Sequence, residues 1–240
     1  MWKRVYKKRY AAPFAGVQKE KRKATEEKRK RICQYFQVVI TGKYQKDYWL
    51  IVEASENTTL KELDWFIRDI WVECCEHLSA FTIHGEQYES NPDTDSFWGK
   101  PSRNMNYRLK DVVDVGDNFL YEYDFGSTTE LVLSIHSCRD GEKKNNEIVI
   151  LSRNNPPKIL CSNCEQNEAK WVNPEGYYEG EPFWCDECLK AESDEEGEYY
   201  KPEFLLPVCN SPGWGCADMG EVTVIQINLS QMNNKIFEMR

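Results

Sequence analysis

The sequence has no apolar run near the ~20 residues that a membrane-spanning helix needs. Its N-terminus carries basic residues with no apolar stretch behind them, so it lacks the pattern of a secretory signal. These two absences predict a cytoplasmic protein that does not contact a membrane. In that reducing compartment, the ten cysteines favour metal ligation and buried thiols over a disulfide framework.

The motifs that identify common enzymes are also absent. The sequence has no P-loop, dinucleotide-binding fingerprint, nucleophile elbow or metal triad with an open position. Because His and carboxylate groups exchange protons near neutral pH, an enzyme of unknown reaction would draw on a small set of candidates. These candidates are His77, His84, Glu122 and Asp124. Nothing in the sequence brings them together, so binding is favoured over catalysis.

Charge is distributed unevenly along the chain, whose formal net charge is −9. Residues 1–31 hold 13 Lys or Arg against three Glu, which leaves +10. The remaining 209 residues hold 18 basic and 37 acidic side chains, which leaves −19. A basic end on an acidic body indicates a nucleic-acid partner, and it equally permits the basic end to lie on its own body.

The basic end is interpreted as an extension outside the core. Residues 17–31 are good helix formers without an apolar stripe, which is typical of a solvated or charge-docked helix. As a nucleic-acid arm, the extension would neutralise phosphates, and Trp2, Tyr6 and Tyr10 would stack on unpaired bases. The basic residues assigned to this role are Lys3, Arg4, Lys7, Lys8, Arg9, Lys21, Arg22, Lys23, Lys28, Arg29, Lys30 and Arg31. A solubilising helix is an equal alternative.

Residues 32–155 contain the strand signals of a folded domain. Segments rich in β-formers predict strands at 33–40, 47–54, 78–84, 119–125, 130–137 and 147–152. The first two predict a hairpin, and a turn at Asp140-Gly141 is expected before the last. The aromatic residues of the fourth segment alternate, so they are expected to share one buried face, Phe125 included.

One main helix is predicted between these strands. Thr59 and Glu62 have capping-box spacing, and apolar residues then recur at three- and four-residue steps, which predicts a helix over 60–76. A single helical turn is expected at 109–113. One helix among these strands predicts an α+β fold over 32–155, with the helix packed on a mixed or antiparallel sheet.

The strongest motif is a pair of C-x2-C knuckles separated by 20 residues, Cys161 with Cys164 and Cys185 with Cys188. Each knuckle presents two thiolates, and a span of about 15–20 residues returns the second pair to the same ion. Four sulfur ligands leave no open position for a water molecule or a substrate. The spacing therefore predicts one structural Zn²⁺.

The segment around these knuckles, residues 156–240, is predicted to be a small zinc-ribbon-like module. It starts at a Pro-Pro boundary and has too little apolar periodicity to fold without a metal. A closing strand is expected at 222–229. Cys209 and Cys216 have no nearby His, so they are interpreted as free or buried thiols. The acidic run at 192–198 supports a second hypothesis, a protein–protein adaptor, although such runs are usually solvated loops.

Three ordered segments carry a resemblance to a known family: NTTLKELDWFI at 57–67, HLSAFTIHGEQY at 77–88 and LKDVVDVGDNFLYEYDFG at 109–126. They resemble the Ri-plasmid ORF-3-like proteins, also called insertion-element passenger or TnpR-like proteins, over about residues 33–153. A subset of that family resembles the Cys-rich insert and the stretch at 206–216. The resemblance implies an α+β fold, a zinc insert and a mobile-element or host setting. It supplies no established activity, and the chain has no recombinase motif.

The chain departs from the family pattern at three places. Ser79 stands where many members have a second His, and Ser127 and Thr128 stand where Asp and Trp are common. Trp171 and Val172 occupy the region where zinc-bearing relatives have additional Cys and His. These departures argue against a His-Asp site shared with the family and against a second zinc ion.

Overall fold

A computed structural model of the protein describes residues 32–72, 76–92, 101–144, 148–173, 180, 182–196 and 205–213. The basic extension, the strand expected at 222–229, Cys216, and Cys74 and Cys75 of the predicted helix lie outside these residues. Within the described ranges, no helix is both long and apolar enough to cross a membrane.

Most strands of the described chain belong to one large sheet. They are β1 (Ile32–Gly42), β2 (Trp49–Ser55), β3 (Ser79–Ile83), β4 (Glu86–Glu89), β5 (Arg103–Asn104), β6 (Asn118–Tyr123), β7 (Thr129–Glu142) and β8 (Val149–Arg153). Their order across the sheet is β5-β4-β3-β6-β7-β1-β2-β8. The β4–β5 pair is parallel and the other neighbouring pairs are antiparallel. The predicted α+β fold with a mixed sheet is therefore confirmed, as is the β1–β2 hairpin.

The main helix starts where the sequence predicts. Helix α1 spans Leu60–Ile67, and both hydrogen bonds of the capping box between Thr59 and Glu62 are present. The helix then widens into a π-helix over Arg68–Val72. The predicted extension to residue 76 is wrong, because Glu76 has a φ of 60° and lies outside any helix. The short helix α2 (Leu109–Val112) confirms the predicted turn.

The core lies between α1, the π-helix and one face of the large sheet. The helical segment and the sheet both contribute fully buried side chains to this core. They include Leu60, Leu63, Ile67, Trp71, Ile40, Leu50, Phe81, Tyr121, Leu131 and Leu133. Cys33 is buried and Cys138 is half-buried. The aromatic residues of β6 share the buried face up to Tyr123, but Phe125 is 47% exposed. That prediction is wrong because β6 ends at Tyr123 and Asp124, with a φ of 59°, turns the chain away.

The prediction of a turn at Asp140-Gly141 is also wrong. Strand β7 continues through both residues to Glu142, because they pair with Gln34 and Cys33 of β1. The long β1–β7 ladder therefore overrides the local turn preference of the Asp-Gly pair.

A smaller sheet follows the large one in the chain. It consists of β9 (Trp171–Val172), β10 (Phe183–Trp184) and β11 (Leu206–Pro207) in the order β10-β9-β11, with helix α3 (Asp186–Glu196) after β10. Beyond β11 the chain returns to the large sheet. We call residues 208–213 the return segment. The division into 1–31, 32–155 and 156–240 stays a prediction.

Candidate metal centre

The four cysteines of the two knuckles come together in space. The sulfur atoms of Cys161, Cys164, Cys185 and Cys188 all lie within 4.8 Å of one another. A tetrahedral ion with Zn–S bonds of about 2.3 Å requires sulfur atoms about 3.8 Å apart. The Sγ atoms of Cys164 and Cys185 are 3.9 Å apart. The arrangement could therefore hold one tetrahedral metal ion, and all four cysteines are free thiols.

The first knuckle is a tight turn that begins at Cys161. The Glu165 N–H donates to the Cys161 carbonyl oxygen over 2.9 Å, and Glu165 has the left-handed φ of 54° that closes the turn. The Cys161 N–H donates in turn to the Asn167 carbonyl oxygen over 2.9 Å. The turn places Cys161 in the interior, where it is 1% exposed, and leaves Cys164 half-buried.

The second knuckle is the first turn of helix α3. Cys185 directly precedes the helix, and the Leu189 N–H donates to its carbonyl oxygen over 3.0 Å. The Cys188 N–H points at the Cys185 Sγ atom at 3.5 Å. Backbone N–H groups at a helix N-terminus stabilise negative charge, so this position favours a thiolate.

The strands between the knuckles hold them together. The Ser162 N–H donates to the Phe183 carbonyl oxygen over 2.7 Å, and the Phe183 N–H donates to Ser162 Oγ over 3.1 Å. Asn167 also bridges the knuckles, since its Nδ2 atom lies 3.8 Å from Cys185 Sγ and 2.9 Å from Glu187 Oε2. The C-x2-C spacing predicts the ligands, whereas these bridges depend on residues with no recognisable signal.

The electrostatics of the cluster favour a cation. Backbone N–H groups of Asn167 and Gln166 lower the pKa of the Cys164 thiol to about 6. Burial and hydrogen bonds to neighbouring sulfur atoms, Cys185 first, raise the pKa of Cys188. For Cys185, burial raises the pKa, but the Cys188 N–H and other donors outweigh it and lower the pKa overall. Thiolates this close together repel one another, so a bound metal ion would stabilise their negative charge.

Cys209 differs from the cluster cysteines in its oxidation state. It is disulfide-bonded, whereas the six other described cysteines are free. The interpretation of Cys209 as a free or buried thiol is therefore wrong, since a second sulfur already satisfies it. Its partner lies outside the described residues.

The groups considered for catalysis do not form one site. His77 Nδ1 lies 3.7 Å from Asp124 Oδ1, whereas His84 Nε2 lies 3.0 Å from Asp117 Oδ2. The two histidines flank β3 at its opposite ends. Glu122 pairs with Ala80 and Glu130 in the sheet, and its strand alternation directs it away from the buried face. No role was assigned to Asp117 from the sequence, although it lies in the 109–126 segment that carries the family resemblance.

Sequence patterns also did not single out a buried polar network that joins the main helical segment to β3 and β6. Asp64 is 3% exposed and accepts hydrogen bonds from Arg68, Ser79 and Tyr121. The available signal was the four-residue spacing of Asp64 and Arg68 on one helix face, which is the spacing of a helical ion pair.

Comparison with known proteins identifies the family of this chain. No curated protein matches it. A solved structure of a protein of unknown function from Methanosarcina mazei Go1 is similar with a TM-score of 0.43 and 16% identity, and the match covers 50% of this chain and 69% of that chain. A family model described as plasmid pRiA4b ORF-3-like protein matches residues 34–158. That match spans more than half of the sequence, so this chain belongs to the plasmid pRiA4b ORF-3-like family.

Proposed function

We propose that this chain is a nucleic-acid-binding protein in which residues 1–31 contact the phosphates and one structural Zn²⁺ folds the four-cysteine module. The observation that carries the metal assignment is the close approach of four thiols with no oxygen or nitrogen ligand among them. Soft thiolates in a tetrahedral set select Zn²⁺ or an iron–sulfur cluster, whereas Ca²⁺ and Mg²⁺ require oxygen ligands. The free thiols at this spacing fit a single ion, and four protein ligands fill its coordination shell.

The charge distribution supports the nucleic-acid partner. The extension carries +10, and the rest of the chain carries −19. The acidic body repels a polyanion, so a nucleic acid would be held at the extension and away from the sheet. Binding of this type releases counterions and weakens steeply as the salt concentration rises.

The test compares the full chain with a form that starts at Ile32, using a fluorescent single-stranded 20-mer and a duplex of the same sequence over a salt series. The full chain is expected to bind with a slope of log K against log salt of about −0.7 for each phosphate neutralised on the single strand. The form starting at Ile32 is expected to show no salt-sensitive binding.

A charge-matched pair of variants distinguishes binding by the extension from an effect of the net charge of the whole chain. Replacing Lys28, Arg29 and Lys30 with Gln is expected to lower the affinity and the salt slope. The control makes the same change in charge at three exposed sites of the folded body, Lys46, Lys61 and Lys158. Equal losses from both variants, or no binding by the full chain, contradict the proposal. The second result would favour a protein–protein adaptor of a mobile-element or host system.

A further inference from the structure

We infer that metal occupancy of the four-cysteine cluster controls whether the return segment stays docked on the large sheet. This inference rests on the proposed metal site and is independent of nucleic-acid binding. It follows from hydrogen bonds that connect the cluster to the core of the protein through three very short strands.

The first contact of the return segment is with the end of the π-helix. Trp71 is fully buried, and its Nε1–H donates to the Asn210 carbonyl oxygen over 3.0 Å. Ser211 Oγ donates to the Trp71 carbonyl oxygen over 2.6 Å. This carbonyl lies in the last turn of the π-helix, which ends at Val72. The return segment thus supplies both an acceptor and a donor to one buried tryptophan.

The second contact is with the end of β8. Asn154 and Asn210 exchange two hydrogen bonds, from Asn154 Nδ2 to Asn210 Oδ1 over 2.6 Å and from Asn210 Nδ2 to the Asn154 carbonyl oxygen over 3.0 Å. Arg153 donates to the Asn210 carbonyl oxygen over 2.9 Å. Asn154 also accepts from the Trp49 N–H over 3.0 Å, which joins this contact to β2. The Trp49 N–H orients the Asn154 side chain, so the paired contact with Asn210 requires the return segment in this position.

The return segment is placed by the small sheet that carries the cluster. Its first residue, Val208, donates its N–H to the Lys170 carbonyl oxygen over 2.8 Å, directly after the β11–β9 pairing. Strand β9 pairs in turn with β10, and β10 ends immediately before Cys185. Each of these strands has two residues. The path from metal ligand to return segment is therefore a continuous ladder of backbone hydrogen bonds.

Apart from the cysteine cluster, the small sheet has few apolar contacts that would stabilise it. Its buried apolar side chains in the described residues are Ala169, Val172, Pro182, Trp184 and Leu205, apart from the two buried cysteines. Two-residue strands with so few apolar contacts are not stable alone, so metal binding supplies their folding free energy. Loss of the metal is expected to fray the ladder and release the return segment, which uncovers Trp71 and the ends of β2 and β8. The same coupling must operate in reverse, because linkage is reciprocal.

The experiment uses the full chain under reducing conditions, so that the disulfide of Cys209 does not tether the return segment. Elemental analysis first gives the zinc content. Hydrogen exchange by mass spectrometry is then compared between the zinc-loaded and chelated protein, for peptides that cover 205–213 and 68–72. We expect chelation to lower the hydrogen-exchange protection factors of residues 205–213 at least tenfold. The amides of the β1–β7 ladder should stay protected.

The reciprocal arm measures zinc affinity by competition with a chromogenic chelator. Ser211→Ala and Asn210→Ala disturb the docked contact and not the cluster, and each is expected to raise the zinc dissociation constant at least about fivefold. Ser134→Ala is the matched control, since it removes a Ser–Asn hydrogen bond elsewhere on the large sheet.

Each outcome bears on the inference. Protein without bound zinc overturns it together with the proposed metal site. Bound zinc with unchanged exchange in 205–213 after chelation overturns the inference alone, as does an unchanged zinc affinity in both docking variants.

Discussion

Arg68 donates from Nε to Asp64 Oδ2 over 3.0 Å, and both side chains of this ion pair are buried. The second carboxylate oxygen of Asp64 accepts from Ser79 Oγ over 2.6 Å and from the Tyr121 hydroxyl over 2.8 Å. Arg68 also donates to Ser79 Oγ and to the His77 carbonyl oxygen. One carboxylate therefore joins the main helical segment to β3 and β6 inside the core.

Removing this carboxylate is expected to destabilise the fold strongly. Asp64→Ala leaves the Arg68 charge buried without its partner, which costs about 3–5 kcal/mol. The measurement is the free energy of unfolding in urea. Asp69→Ala is the matched control, because Asp69 is an exposed acidic residue in the same helical segment. If the two variants lose the same stability, the network does not stabilise the core in this way.

The Tyr121 hydroxyl predicts a pH dependence at the alkaline end. Burial, and then the negative charge of Asp64, raises its pKa well above the ordinary tyrosine value of 10.0. A group with a raised pKa in the folded state contributes stability that is present below its unfolded pKa and lost as pH rises above it. The wild-type free energy of unfolding is therefore expected to fall above pH about 10. Tyr121→Phe should show a smaller fall over the same range, and parallel curves would contradict this account.

Removing the capping box is expected to destabilise the fold less than removing the Asp64 carboxylate does. Glu62 N–H donates to Thr59 Oγ1 over 3.1 Å, and Thr59 N–H donates to Glu62 Oε2 over 2.6 Å. Thr59→Ala removes the first of these bonds and is expected to cost about 1 kcal/mol. Thermal unfolding should show a decrease in Tm of about 2–4 °C. Thr59→Ser retains the hydroxyl, so it should behave like the wild type, and an equal loss in both variants would point to the methyl group.

Substitution of a cluster cysteine is expected to abolish zinc binding, whereas substitution of a cysteine outside the cluster is not. The wild type is expected to hold one zinc ion per chain, and Cys164→Ser or Cys185→Ser should abolish binding, because three thiolates hold the ion far more weakly than four. Cys138→Ser is the control, since Cys138 is a free cysteine outside the cluster. Elemental analysis of the purified variants reports the result. Full zinc content in the cluster variants would refute the assignment of these ligands.

Local patterns predicted the parts of the structure that local physics determines. The period-two strands, the capping box at Thr59 and the knuckle spacing each depend on neighbouring residues. The structure confirms the strands predicted within 32–155, the helix start and the four-cysteine cluster. The Asp64 network could not be predicted, because Ser79 and Tyr121 reach Asp64 from strands that are distant in sequence. The Asp140-Gly141 error has the same origin, since pairing with β1 decides the conformation there.

The interior position of β1 in the large sheet has a consequence for synthesis on the ribosome. Phe36 pairs with Ala54 on one side and with Cys138 on the other, so the two edges of β1 meet their partners at very different times. At about 5–20 residues per second, the edge facing β7 waits roughly 5–20 s after β1 is made. During that interval it is an open edge with apolar residues, the kind of surface that pairs with the wrong chain. Protection of this edge during synthesis is therefore expected to affect the yield of folded protein.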